Sequence, residues 1–101
     1  MKKPLNMAAV AAAVLATSVA AYAFSGQEYA KDAKIDIAQA RAAALKAHPG
    51  TITDEELEKE GGGSGLRYSF DIKTESGTQE VGVDARTGAI LENKAEGPNP
   101  D

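Results

Sequence analysis

The side chains able to do chemistry are few, and their spacing argues against a reaction. His48 is the only histidine in 101 residues, and cysteine is absent. A serine nucleophile needs a base beside its hydroxyl, and a zinc protease helix needs two histidines one turn apart. Ser25, Ser64, Ser69 and Ser76 share that one histidine, and no nucleophile-elbow sequence surrounds any of them. His48 itself precedes Pro49 at the end of a helical pattern, a place where an imidazole caps or faces solvent. Lack of cysteine also removes a thiolate nucleophile, a disulfide framework and a Cys-ligated metal. The expectation is a chain that is not an enzyme, with no catalytic residue and no cofactor.

Three other features invite a chemical reading. Asp54, Glu55, Glu56, Glu58 and Glu60 form an acidic cluster. On a strand, Asp54, Glu56, Glu58 and Glu60 would share a face, and with Arg67 they make the candidate partner surface. The plain reading is a solvated face; the sharper ones are docking of a basic partner or a weak cation site. Calcium needs six to eight oxygens from a folded-back loop, whereas a strand face presents them in a line. The run Gly61-Gly62-Gly63-Ser64-Gly65 is followed by Leu66-Arg67-Tyr68 and not by Gly-Lys-Ser/Thr, so it reads as a hairpin loop and not as a phosphate cradle. Tyr68 and Phe70 alternate with polar residues alongside Leu66 and Ile72, which makes them core and not a binding stripe.

Composition narrows the class. The basic residues Lys2 and Lys3, the apolar run from Met7 to Val19 and the small-x-small sequence Ala21-Tyr22-Ala23 read as a secretory signal over residues 1–23, cleaved before Phe24. The remainder carries nine basic and fifteen acidic residues, a net charge of −6. Such a chain repels nucleic acid and anionic membrane surfaces. The expected product is periplasmic or secreted, with no membrane attachment after cleavage. A single core of this size is thin, so a partner or a dimer interface would stabilise it.

The elements that must position these residues follow from periodicity and turn chemistry. Residues 24–34 have no clear period and read as a lead-in segment. Ile35 to His48 reads as a helix: Asp36 caps it, Gln39 completes a capping box, and Ile37, Ala40, Ala44 and Leu45 fall on one face. Pro49 and Gly50 stop it. Local propensity leaves Thr51–Glu60 open between helix and strand, and a strand would need a bulge to bring Ile52 and Leu57 to one face. Leu66 to Lys73 alternates as a half-buried strand, followed by a turn at Glu75-Ser76-Gly77 and a strand over 78–84. Asp84 to Gly88 reads as a tight turn, with the Asp side chain bonding forward to backbone N–H groups and Gly88 at positive φ. Ala89 to Asn93 returns as the last strand, and residues 95–101 read as a flexible tail.

In this order and wording the chain resembles the PepSY family, from Ile35 to about Lys94. The resemblance is carried by the Ala-rich helix ending Ala44-Leu45-Lys46-Ala47-His48-Pro49-Gly50, by Glu56-Leu57-Glu58, by Tyr68-Ser69-Phe70-Asp71-Ile72, and by Val81-Gly82-Val83-Asp84-Ala85-Arg86-Thr87-Gly88-Ala89-Ile90-Leu91. It implies an α+β fold over 35–94, with one N-terminal helix packed on a four-stranded antiparallel sheet, and so a strand for Thr51–Glu60. Pro49, Gly50, Tyr68, Phe70, Asp84, Thr87 and Gly88 become structural motif positions. The family occurs in propeptides of thermolysin-like metalloproteases and in a spore-germination protein. That implies a non-catalytic interaction module that restrains a protease or assists its folding, with an unidentified protein, a protease among the candidates, as partner. The alternative is a cell-envelope small-ligand or cation-binding protein that uses the acidic 54–60 strand. Glu55 departs from the family pattern, in which a small apolar residue is usual.

Overall fold

The computed structural model describes residues 24–97. The proposed cleavage residues Ala21 and Ala23, with the whole 1–23 segment, lie outside the described residues. Within them, a 3-10 helix (Gln27–Asp32) is followed by helix α1 (Ile37–Ala47) and strands β1 (Thr51–Lys59), β2 (Leu66–Thr74), β3 (Gly77–Asp84) and β4 (Ile90–Ala95). The sheet runs β1-β2-β3-β4, antiparallel throughout, with α1 against one face.

Helix α1 starts where its cap requires. The Asp36 carboxylate accepts from Gln39 N–H (2.8 Å), and the Gln39 amide oxygen accepts from Asp36 N–H (2.9 Å). Two otherwise unpaired donors are thereby satisfied. His48 closes the other end through its backbone N–H, bonded to the Ala44 carbonyl. Ile37, Ala40 and Ala44 are the buried stripe. The small Ala40 and Ala44 side chains let the helix lie close over Leu57, Leu66, Tyr68, Phe70, Ile72, Val81 and Val83, all 2% exposed or less. Tyr68 and Phe70 are core, and the Tyr68 hydroxyl donates to the Ile35 carbonyl at 2.8 Å.

Thr51–Lys59 is strand, and the bulge that the Ile52–Leu57 spacing demands lies between Ile52 and Asp54. Helix propensity in Glu55-Glu56-Leu57-Glu58 gives way to the ladder with β2 and to burial of Leu57. Glu55 points to the helix side, where its carboxylate takes both Nε and one terminal nitrogen of Arg41. An ion pair thus spans α1 and β1 at this position.

Two expectations are corrected. Residues 24–34 are part of the fold, not a lead-in. Ser25 bridges the outer edge of β1 at Glu56, its carbonyl accepting from Leu57 N–H at 2.8 Å. Phe24 packs edge-on against Tyr68, and Lys59 lies over the Tyr29 ring. Gly26 makes this approach feasible: at φ 87°, any Cβ there would collide with the Leu57 carbonyl. The glycine-rich connection is the β1–β2 hairpin loop, held against the end of the sheet by Ser64 bonding Asp84. The tail, finally, begins later than residue 95, since β4 runs to Ala95 and Glu96 N–H still bonds the Thr78 carbonyl.

Candidate functional site

Two regions concentrate polar groups: the sheet face opposite α1, and the end of the sheet where three loops meet. Strand alternation builds the first. With Leu57, Tyr68, Phe70, Val81 and Val83 pointing at the helix, their neighbours point away. The register then sets three rows across the open face: Asp54-Asp71-Glu80-Lys94, Glu56-Ser69-Gly82-Glu92 and Glu58-Arg67-Asp84. Six carboxylates therefore surround Arg67 and Lys94, with Asp84 buried at the margin. Asp54, Glu56 and Glu58 share this face as the sequence indicates, while Glu60 lies beyond the last residue of β1. Asp71, Glu80, Glu92 and Lys94 join the face unannounced. Alternation alone assigns Asp71 and Glu80 to it, but Glu92 and Lys94 depend on the β3–β4 register shift between Gly82 and Val83.

Crowding of like charges shows in proton affinity. Burial, then Glu58 and Asp54, pushes the Glu56 carboxyl above its ordinary value. Glu80 is likewise raised, by burial first and then by Glu92 and Asp71.

Arg67 does not offer a free charge to a partner. It lies flat over Gly82, only 7% exposed, with its terminal nitrogens on the Glu92 carboxylate (3.3 Å) and the Gly61 carbonyl (3.0 Å). Its Nε is buried without an acceptor. Beside it, Ser69 donates to Glu58 at 2.6 Å. The expectation of Arg67 as an exposed contact is thus corrected: the residue organises the face from beneath. Lys94, whose side chain is 67% exposed, is the outward cation of this face.

The second region centres on Asp84, 1% exposed. Its Oδ1 accepts from Ser64 Oγ (2.8 Å), Arg86 N–H (2.8 Å) and Thr87 N–H (3.0 Å), and its Oδ2 accepts from Ser64 N–H (2.6 Å). Four donors on one carboxylate outweigh the cost of burial and hold it ionised well below the usual carboxylate range. The turn chemistry expected of Asp84, Thr87 and Gly88 is present, with Gly88 at φ 82° and its N–H on the Asp84 carbonyl. The reach across to Ser64 has no sequence signal, because Ser64 lies 20 residues away. Arg86 extends the knot, donating to the Ser64 carbonyl (2.9 Å) and to the Asp32 carbonyl (3.1 Å), while the Ala85 carbonyl accepts from Lys34 and Ile35 N–H.

Neither region assembles a reaction. Ser64 and Asp84 touch, but the carboxylate is occupied by backbone donors, and His48 sits at the far end of α1. Ser69 touches only an acid, and Ser76 lies in the β2–β3 turn bonded to Thr74. Among the described residues no group of three or more His, Cys, Asp or Glu is placed to hold a metal ion. No described helix is long and apolar enough to cross a membrane. Pro49 and Gly50 carry the chain from α1 into β1, a connecting role.

Fold and site together define a small α+β module with one helix-covered face, one polar face and no assembled catalytic group among the described residues. The chain belongs to the PepSY family, the peptidase propeptide and YPEB domain, whose family model matches residues 34–94. Comparison with curated proteins and with solved structures gave no match. The 3-10 helix and the Ser25 bridge lie outside the matched span. The family is one of non-catalytic modules associated with peptidase propeptides.

Proposed function

We propose that this chain is an exported interaction module that engages a basic, extended segment of a partner protein on the open face of its sheet. The partner class suggested by the family is a protease, restrained or helped to fold. The observation that carries the reading is the open face itself, with six carboxylates in register across four strands, two of them pushed toward protonation by burial and then by their acidic neighbours. A cationic segment laid across these rows relieves that repulsion. The signal-like residues Lys2, Lys3, Ala21 and Ala23 support export to the periplasm or beyond.

Photo-crosslinking in cells tests this. A photoreactive residue is placed at Glu56 or Glu80 on the open face, and at Gln39 on the exposed side of α1 as control. Recurrent adducts from the face positions alone, mapping to basic segments of an exported protease, are the expected outcome. Equal labelling from Gln39, or no adducts from the face, refutes it.

A further inference from the structure

We infer that two copies of this chain pair edge to edge through β4, antiparallel about Asn93, to form one continuous eight-stranded sheet. The two edges of the sheet are not equivalent. Ser25 bridges β1 at Glu56 on its outer side, whereas β4 has no neighbour on its outer side among the described residues. The ladder fixes which groups face outward. Glu96 N–H bonds the Thr78 carbonyl, and Gln79 lies opposite Ala95. In an antiparallel ladder hydrogen-bonded pairs alternate, so Glu92, Lys94 and Glu96 turn their backbone groups to β3. Asn93 and Ala95 therefore turn theirs to the open edge.

The side chains along that edge are self-complementary. In a pairing with its two-fold axis at Asn93, the Asn93 backbones exchange both hydrogen bonds. Glu92 of each copy then stands directly opposite Lys94 of the other, on the same face. Directly opposed unlike charges favour a strand pair, and directly opposed like charges oppose it. Moving the axis one residue, to Glu92 or to Lys94, sets each of those charges against its own copy and also turns away the free backbone groups. Lys94 is exposed enough to reach across, since its contact with its own Glu92 (3.2 Å) leaves the side chain 67% exposed. Ile90, 42% exposed and the only exposed large hydrophobic among the described residues, sits at the start of the same strand. Pairing brings it beside the end of the partner's β4.

Such a pair is isologous, the same β4 edge serving both copies. Its axis stands perpendicular to the sheet, so both helices lie on one side and both acidic faces join on the other. The inference does not depend on the protease reading: it concerns the edge, and it stands or falls with the oligomeric state.

Sedimentation equilibrium of the purified protein, from low micromolar to near-millimolar concentration, reads it directly. Wild type is expected to approach twice the monomer mass as concentration rises. Lys94→Glu puts acid against acid twice and is expected to weaken association about tenfold or more. Glu92→Lys does the converse. An equimolar mixture of the two variants restores both unlike pairs and is expected to associate as well as wild type, a rescue that a fold defect in either would not give. Asn93→Pro removes the central outward N–H while leaving the β3 ladder intact, and is expected to abolish pairing with an unchanged circular dichroism spectrum. Wild type that stays monomeric throughout overturns the proposal, as does a dimer indifferent to Lys94→Glu and Asn93→Pro. A monomer would leave the open-face reading untouched, because crosslinking from Glu56 or Glu80 tests that separately.

Discussion

Replacing Asp84 should be the most damaging single polar change in the domain. Four donors converge on its carboxylate, two from Ser64 and one each from Arg86 and Thr87. Hydrogen bonds to an ionised group contribute about 1.5–3 kcal/mol each where the donors cannot rehydrate. The Thr87 donor is in an exposed turn and recovers water readily, while the Ser64 pair is held under the glycine loop. Gly63 packs so tightly there that a Cβ would collide with Asp84 Oδ2. Counting the Ser64 bonds nearly in full and the turn bonds in small part, Asp84→Ala should cost about 4 kcal/mol. Asp84→Asn keeps the three bonds to Oδ1 without their charge and sets an amide against Ser64 N–H, for about 2 kcal/mol. A domain of this size has a net stability of about 5–10 kcal/mol, so the alanine variant should keep only about 1–6 kcal/mol and unfold at much lower urea.

The assay is urea unfolding followed by far-ultraviolet circular dichroism, since the chain has no tryptophan. The pH dependence supplies a second check. Because the folded-state carboxyl is held low, its contribution is complete above the unfolded-state value, about 3.9, and is lost as pH falls through the folded-state value. The gap between wild type and Asp84→Asn should be constant from neutral pH to mildly acidic pH, then narrow on further acidification. An Asp84→Ala cost under about 1 kcal/mol, or a gap that does not narrow in acid, would refute the hydrogen-bond account.

The open face should make stability rise on mild acidification. Glu56 and Glu80 are raised in the folded state, so their protonated forms favour folding below the unfolded-state value and that gain is lost as pH rises through the folded-state value. Thermal melts should therefore peak on the acid side of neutrality, and Glu56→Gln should raise stability at neutral pH by about 0.5 kcal/mol while flattening the profile. Breaking the Arg41–Glu55 pair with Glu55→Ala should cost about 1–2 kcal/mol, and adding Arg41→Leu should recover part of it, because the half-buried guanidinium that has lost its Glu55 partner is then replaced by an apolar side chain. Denaturant unfolding of the two variants checks this. Gly26→Ala should detach the N-terminal segment from β1 and abolish hydrogen-exchange protection at Leu57 N–H, while Phe70 and Val83 amides stay protected.

Much of this architecture is legible in local sequence because local rules govern it. Asp36 and Gln39 mark the helix start through a cap that spans three residues. Alternation from Leu66 to Lys73 assigns each side chain to a face, and Asp84 to Gly88 specify their own turn. The Ile52–Leu57 spacing even states the condition, a bulge, under which Thr51–Lys59 can be strand.

Tertiary contact decides the remainder. Propensity alone leaves 51–60 open, and the ladder with β2 together with the buried Leu57 resolves it. Nothing local in residues 24–34 indicates structure, because their order comes from the Leu57 N–H of β1 and from Tyr68, more than thirty residues downstream. Arg67 reads as a surface charge until Gly82, two strand positions from its partner Asp84, is seen to leave room for its side chain to lie flat. Ser64 becomes a partner of Asp84 only when the β1–β2 loop folds over the end of β3. The sequence by itself determined which residues alternate, cap and turn, since those depend on neighbours within a few bonds. Only the folded chain decided which charges stand together on the open face and which edge is left bare, since both depend on strand order and register set by burial of a common core.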